Sequence, residues 1–296
     1  MLNAECSMLR FEVVTIFPDF FRGPFEHGII RRAQNAGLIN IGVHDLRAFT
    51  SDRHKTVDDR PFGGGEGMVL KPEPIFACVE SLGVSSREQR LQSLSSRAEA
   101  KPESRDLGFP KETVILLSPG GEMFNQAMAA ELAQKERIVF ICGRYEGVDE
   151  RVAEHLADRE VSVGDFVLSG GELGAAIIVD AVTRLVPGAL GNEDSSKQES
   201  FTASTQRERA DCETPSSTCG SGGLLDYPHY TRPAEFRGLP VPEVLANGNH
   251  EQIRTWRRRK ALEKTLRFRS DLLKDMELSA ADKKLVAELK QELGLG

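Results

Sequence analysis

Apolar positions fall into short runs separated by polar, glycine-bearing segments. Phe11 to Phe17 is a compact apolar run rich in β-branched residues and predicts a buried strand. Residues 26 to 36 read as helical and stop at Gly37, which suits a C′ glycine. Leu38 to Val43, Thr113 to Leu117 and Arg137 to Cys142 predict three more strands. Asn125 to Lys135 has helical composition and period, and Glu172 to Leu185 predicts another helix, stopped by Pro187 and Gly188. Strands alternating with helices predict an α/β domain with a largely parallel sheet.

Two segments fall outside that pattern. Ser85 to Lys111 is rich in Ser, Arg and Glu without a sustained apolar period, and reads as a mobile surface insertion. Asn192 to Gly223 is similarly polar and reads as an interdomain connection. Beyond it, Val241 to Leu295 is mostly helical in pattern, with Ser279 and Asp282 spaced as a helix-start capping pair. The expected organisation is an α/β domain over 8–190, a flexible linker over 191–223 and a helical domain over 224–296. Residues 1 to 7 read as an extension, and no internal repeat is present.

At 296 residues, with 40% hydrophobic and 28% charged residues, the chain has an ordinary soluble composition of about two domains. No apolar run approaches the ~20 residues of a membrane span. The start, MLNAECSMLR, lacks the basic flank and apolar core of a secretory signal. Five cysteines, Cys6, Cys78, Cys142, Cys212 and Cys219, are scattered without a CxxC pair. That disfavours zinc ribbons and disulfide frameworks and fits a reduced cytoplasm. The net charge of −7 argues against a wholly basic nucleic-acid binder. A local basic stretch nevertheless runs through Arg254, Arg257, Arg258, Arg259, Lys260, Lys264, Arg267 and Arg269, with only Glu263 against it. It marks either a polyanion-binding surface or a solvated helix face.

Four glycine-rich segments carry the candidate chemistry: PFGGGEGM (61 to 68), SPGGE (118 to 122), CGRYEGVDER (142 to 151) and SVGDFVLSGGE (162 to 172). Two directly follow predicted strands, where open parallel sheets bind ligands. Glycine there admits close approach of backbone to ligand. Any one of them alone marks a turn, but several with polar residues point to a shared pocket. The pocket lacks GxGxxG before a helix, GxxxxGK[ST], HExxH and GxSxG, and no zinc-ligand spacing occurs. Asp58 and Asp59 sit among Arg53, His54, Lys55 and Arg60, as a surface ion-pair cluster or a binding loop. Tyr145, Tyr227 and Tyr230 all lie in Gly- or Pro-bearing loops, as partly buried rings or as stacking platforms for bases.

Taken together, RHKTVDDRPFGGGEGM, LLSPGGEMFNQ, FICGRYEGVDERV, VSVGDFVLSGGELGA, DAVTRLVPGALGNEDS, GLLDYPHYTRP and VPEVLANGNHEQIRTWR resemble the bacterial tRNA (guanine-N1)-methyltransferase family, TrmD. The resemblance runs from about Met8 to the C-terminus, interrupted by the two polar insertions. It implies a trefoil-knotted, SPOUT-type parallel-sheet α/β domain followed by a small helical domain. It also implies a cytoplasmic homodimer with the active site at the subunit interface. The reaction it implies moves a methyl group from S-adenosylmethionine to N1 of guanine 37, beside the tRNA anticodon. Matched by motif, the methyl donor is expected at Ser118, Pro119, Gly143, Tyr145, Glu146, Gly147, Val163, Gly164, Asp165, Phe166, Val167, Leu168, Gly170 and Gly171. Asp58 corresponds to a contact for the target guanine and Arg184 to the arginine at the guanine's oxygen. Asp226, His229, Tyr230 and Arg232 fall in motifs expected near the bound tRNA, and the basic helix is expected at its phosphates. Magnesium dependence is a family trait, but the sequence shows no ligand cluster that places the ion.

The chemistry such an enzyme needs is specific. Guanine N1 carries a proton at neutral pH, so a general base must accept it as the methyl arrives. Negative charge then builds on the guanine oxygen, where a fixed cation stabilises it. The family's base is an aspartate in a segment ending DSF; the matching stretch here is SSKQESF, which puts Glu199 in that place. Glutamate is a carboxylate of similar reference pKa, ~4.3 against ~3.9, and reaches one methylene further. Asp194 and Asp226 are the alternatives.

Overall fold

The computed structural model describes residues 8–84, 87–90, 111–191, 199–201, 223–274, 276 and 278–294. Contacts divide the chain into two compact units, Met1–Gly191 and Asn192–Gly296.

The first unit is built on five parallel strands: β1 (Leu9–Thr15), β2 (Ile39–Asp45), β5 (Glu112–Met123), β6 (Arg137–Cys142) and β7 (Arg159–Ser162). Their order is β2-β1-β6-β5-β7. Both faces are covered, which is why the central strands read as continuous apolar runs rather than alternating ones. Phe11, Val13, Ile115, Ile138 and Phe140 face one core with α1 (Gly28–Asn35), α3 (Gln126–Leu132) and α5 (Glu172–Thr183). Val14, Val114, Leu116, Val139 and Ile141 face the other, with α2 (Pro72–Ser81) and α4 (Glu150–His155). Two-residue strands β3 (Asp58–Asp59) and β4 (Val69–Leu70) form a separate antiparallel ribbon.

Three differences from the sequence expectation have physical causes. The third strand does not end at Leu117. It leaves the sheet over residues 118–121 and rejoins β7 at Glu122, so SPGGE is a wide bulge inside a long strand. Gly121 permits this, because a Cβ there would collide with the Val161 backbone. Helix α1 is shorter than 26–36, starting at Gly28, with Gly37 at φ +69° just past its cap. Finally, the polar insertion's described start is not loose. Arg90 is buried, donates to Asp158 at 2.9 Å and to the Leu156 carbonyl at 2.7 Å, and Asp158 also accepts the Val114 N–H. The remainder of that insertion, and most of the expected linker over 191–223, lie outside the described residues.

The second unit is mainly helical: α6 (Glu243–Ala246), α7 (His250–Phe268) and α8 (Ala280–Leu293), with a short hairpin of β8 (Glu235–Phe236) and β9 (Leu239–Pro240). Leu262 and Leu266 of α7 pack with Leu289 of α8 and Leu224. Ser279 caps α8 by accepting the Asp282 N–H at 3.1 Å. The Asp282 carboxylate binds Arg258 through two hydrogen bonds, 3.1 and 2.8 Å. Burial pushes the Asp282 carboxyl up, but the Arg258 guanidinium and the Ser279 contacts outweigh this and hold it below its ordinary value.

A carboxylate depressed in the folded state contributes stability above its unfolded pKa, about 3.9, and loses it as pH falls through the folded value. Asp282→Asn should therefore cost about 1.5–3 kcal/mol at pH 7, the range for a hydrogen bond to a charged group. The gap from wild type should close in urea titrations below about pH 4.

Candidate active site

The carboxyl ends of β5, β6 and β7 open into loops that enclose a cavity of about 400 Å³. Its walls come from Ser118 and Pro119 of the bulge, the 143–148 loop after β6, and residues 163–171 after β7. This is the expected ligand end of a parallel sheet. Of the residues matched to the methyl donor, all line this cavity except Gly164 and Asp165.

Two glycines let the walls meet. The Gly171 N–H donates to the Gly143 carbonyl at 2.9 Å. A Cβ on Gly171 would lie 2.9 Å from the Cys142 Cα and 3.0 Å from the Leu117 Cβ, so only glycine fits without moving backbone. In the 143–147 turn, Tyr145 takes φ +58° and Gly147 +139°, and the Gly147 N–H closes on the Arg144 carbonyl at 3.0 Å. The left-handed Tyr145 is a strained position that leaves its ring half exposed.

Beneath the loops lies a buried carboxylate that the sequence reading missed. Glu172, at the first turn of α5, is 1% exposed. It accepts from Thr15 Oγ1 at 2.8 Å and from Arg144 Nε at 3.2 Å. The Arg144 guanidinium also stands 4.5 Å from the centre of the Phe17 ring. Its position at a helix N-terminus favours the negative charge. The signal was an acidic residue directly after GG at a helix start, which also reads as an ordinary solvated first turn.

The β3–β4 ribbon is stitched to the same loop. Leu70 donates to the Gly147 carbonyl at 3.0 Å, and Glu146 donates to the Met68 carbonyl at 3.1 Å. Asp58 pairs in register with Leu70, so its half-buried carboxylate rides on a ribbon fixed to the cavity wall. Arg184 lies elsewhere. It caps the C-terminus of the 12-residue α5, whose other end is at the cavity. Helical rise separates the two ends by roughly 18 Å.

The second unit brings the other candidates together. Ser200 Oγ accepts the Asp226 N–H at 2.9 Å, which sets the neighbouring Glu199 beside the YPHYTRP loop. Both Asp226 carboxylate oxygens are engaged, one by the Tyr227 N–H and one by His229 Nε2 at 2.8 Å. The Tyr227 and His229 rings lie tilted at 40° with centres 4.7 Å apart, and Arg257 lies over Tyr227. Tyr230 is half exposed, 6.2 Å from Trp256, and Arg232 is exposed. Asp194 lies outside the described residues.

The basic stretch on α7 is less cationic in space than in sequence. Arg258 pairs with Asp282, Arg259 with Glu292, Lys260 and Arg267 with Glu263, and Arg269 with Asp271. Arg258 and Arg259 brace α7 against α8, while Lys260 and Arg267 meet a carboxylate of α7 itself.

Two buried thiols are unsuited to nucleophilic work. Burial pushes Cys142 well up, with Glu172 adding to the shift and Arg144 opposing it. Burial, with Glu12 adding, pushes Cys78 up to about 12. Both are neutral thiols at neutral pH.

A family model described as tRNA (Guanine-1)-methyltransferase TrmD matches residues 9–275. The chain is 60% identical to a tRNA (guanine-N(1)-)-methyltransferase of Koribacter versatilis, over 95% of this chain and 98% of that one. It is 48% identical to the protein of that name from Dictyoglomus turgidum, over 97% and 98%. Against its namesake from Geobacter metallireducens it is 46% identical, over 96% and 98%.

The glycine contact gives a sharp test of how the walls close. Gly171→Ala should lower stability by about 1–3 kcal/mol in urea unfolding, the cost of forcing atoms into a packed site. Gly191→Ala, where an added Cβ meets nothing within 4 Å, should stay within about 0.5 kcal/mol of wild type.

Proposed function

The chain belongs to the tRNA (guanine-1)-methyltransferase family, and on that premise we propose that it methylates N1 of guanine 37 in tRNA, with S-adenosylmethionine as donor. The observation that carries the reading is the glycine-walled cavity at the carboxyl ends of three parallel strands, built from the residues the family's motifs assign to the donor. Backbone amides and carbonyls of the 143–147 and 163–171 segments offer polar contacts, and Phe166, Val167 and Leu168 offer apolar ones. Bound there, the donor supplies a methyl group on a cationic sulfur whose leaving group departs neutral, so no acid is needed on that side.

The chain's residues then have a proton and a charge to manage. Glu199 is assigned the general base for guanine N1–H. Asp226 suits that role less, because its two oxygens already hold Tyr227 and His229. Arg184 is assigned to the developing charge on the guanine oxygen, and Asp58 to the guanine itself. Tyr230, His229 and Arg232 are assigned to the RNA around it. Among the described residues no three His, Cys, Asp or Glu side chains are grouped to hold a metal ion, and no step here runs through magnesium.

The position of Arg184 supports a homodimer. Within one chain, α5 holds it roughly 18 Å from the cavity, so a second copy is the natural source. The same helix is largely apolar: Leu173 and Ile177, one turn apart, are half exposed opposite its buried face, with Asp180 the charged residue on that exposed side. Exposed apolar residues at helical spacing on such a helix suit an interface. Working on tRNA places the enzyme in the cytoplasm, and no helix among the described residues is long and apolar enough to cross a membrane.

Labelled methyl transfer to an unmodified transcript with guanines at 36 and 37 should succeed and fail with adenine at 37. Glu199→Gln should lower that rate about 10²–10⁴-fold with donor affinity intact, the range for a lost general base. An equal loss in Asp226→Asn alone would transfer the role to Asp226.

Leu173→Lys with Ile177→Glu should convert the dimer to a folded monomer by light scattering. The monomer should lose methyl transfer, because it separates Arg184 from the cavity. A dimer that persists would remove α5 from the contact.

A further inference from the structure

We infer that Phe62 is the ring on which the unpaired target base is stacked at the cavity mouth; the inference rests on the guanine-methylating function proposed above. Guanine N1 lies on the Watson–Crick edge, so the acceptor must be unpaired and drawn from its stack. A base so displaced needs a new surface for its face, and aromatic side chains supply it in RNA recognition.

Tyr145 and Phe166 are half-exposed rings in the cavity wall itself, where the donor is expected; Phe62 is the fully exposed ring on the neighbouring ribbon. Its side chain is fully exposed, so it adds nothing to the core. It is followed by Gly63, Gly64 and Gly65, all at positive φ, and an added Cβ at Gly63 or Gly64 would meet nothing within 4 Å. The tip therefore stands in open space on a backbone free to swing.

The roots of the loop are fixed where the tip is not. On one side Asp59 pairs with Val69. On the other, the Met68 carbonyl accepts the Glu146 N–H at 3.1 Å, and Gly67 lies so close to the Glu146 side chain that a Cβ would collide with it. Glu146 is itself part of the cavity wall. An exposed ring on a hinged tip is thus tethered to the site where the base must arrive.

The same segment carries cations that RNA phosphates could meet. Arg53, Lys55 and Arg60 are exposed, alongside the acidic Asp52, Asp59 and Glu66 and the half-buried Asp58, so the segment offers cations to phosphates without being basic overall. Cations next to a free aromatic ring are the combination that binds single-stranded nucleic acid. A subunit contact is the other use of such a ring, but its neighbours here are glycines and charges, which interface cores exclude.

The test uses the full chain, with Phe62→Ala and Phe62→Trp. Kinetics are measured on the guanine 36/37 transcript, donor affinity by calorimetry and mass by light scattering. Phe62→Ala should lower kcat/KM for tRNA roughly ten- to hundredfold, the range for a lost base–aromatic stack. Donor affinity, mass and melting temperature should not change, and Phe62→Trp should restore the rate. A transcript with 2-aminopurine at position 37 should be quenched by wild type and by Phe62→Trp but not by Phe62→Ala. Wild-type kinetics in Phe62→Ala would overturn the proposal, as would quenching that survives it. So would a loss of the dimer or of donor affinity, which would assign the ring to a subunit contact or to the donor. A wild type inactive on every guanine transcript would instead remove the reaction itself, and the proposal with it.

Discussion

The Glu172 carboxylate is the contact on which the first unit's cavity depends. It is buried, and it joins three segments through one side chain: the end of β1 through Thr15, the loop after β6 through Arg144, and the start of α5. A buried carboxylate is costly unless its oxygens are hydrogen-bonded and its charge is matched. Here one oxygen takes a hydroxyl, the other a guanidinium, and the helix terminus supplies further positive potential. The arrangement also dictates its neighbours. Gly170 must lack a Cβ, since one would collide with Arg144 and Glu172, and Gly171 must lack one for the backbone of β6. The glycines of the 162–172 segment thus answer first to this packing, and the cavity above them follows from it.

What was legible in the sequence is what local pattern encodes. β1, β6 and the inner half of β5 are apolar on both faces, so they stand out as uninterrupted runs. Three of the four glycine segments line the cavity, because close approach of backbone leaves a residue signature; PFGGGEGM (61 to 68) does not line it. β7 is short, and its residues Arg159 and Glu160 are polar; it is a strand only because β5 pairs with it. The SPGGE bulge is defined by where β5 rejoins that same neighbour. α2 begins at Pro72 with few periodic positions and is fixed by packing of Ile75, Cys78 and Val79.

Charge was the least legible quantity. A run of eight basic residues reads as a polyanion surface when counted along the chain. In space, Asp282 and Glu292, more than twenty residues downstream, neutralise two of its arginines. Glu172 shows the converse: one acidic residue before an apolar helix reads as solvent-facing, yet it is buried with two long-range contacts. Local pattern records burial well because burial repeats along an element. It records ion pairing poorly because the partners come from elsewhere.

Under the proposed roles, helix α5 links the two halves of the chemistry by its length. Its first residue is locked under the cavity by Thr15 and Arg144, and its last turn carries Arg184. A helix is a stiff rod with fixed rise, so no loop rearrangement in one chain shortens the roughly 18 Å between those ends. If Arg184 serves the transferring methyl as proposed, it must come from a second rod, and a second rod needs a surface to lie on. Leu173 and Ile177 provide an apolar one on the same helix. If two copies of α5 pack through that face in opposite directions, each would carry its Arg184 toward the other's cavity. The residue that stabilises charge and the residues that hold the dimer would then be parts of one element, and the enzyme's need for two subunits would follow from the geometry of a single helix.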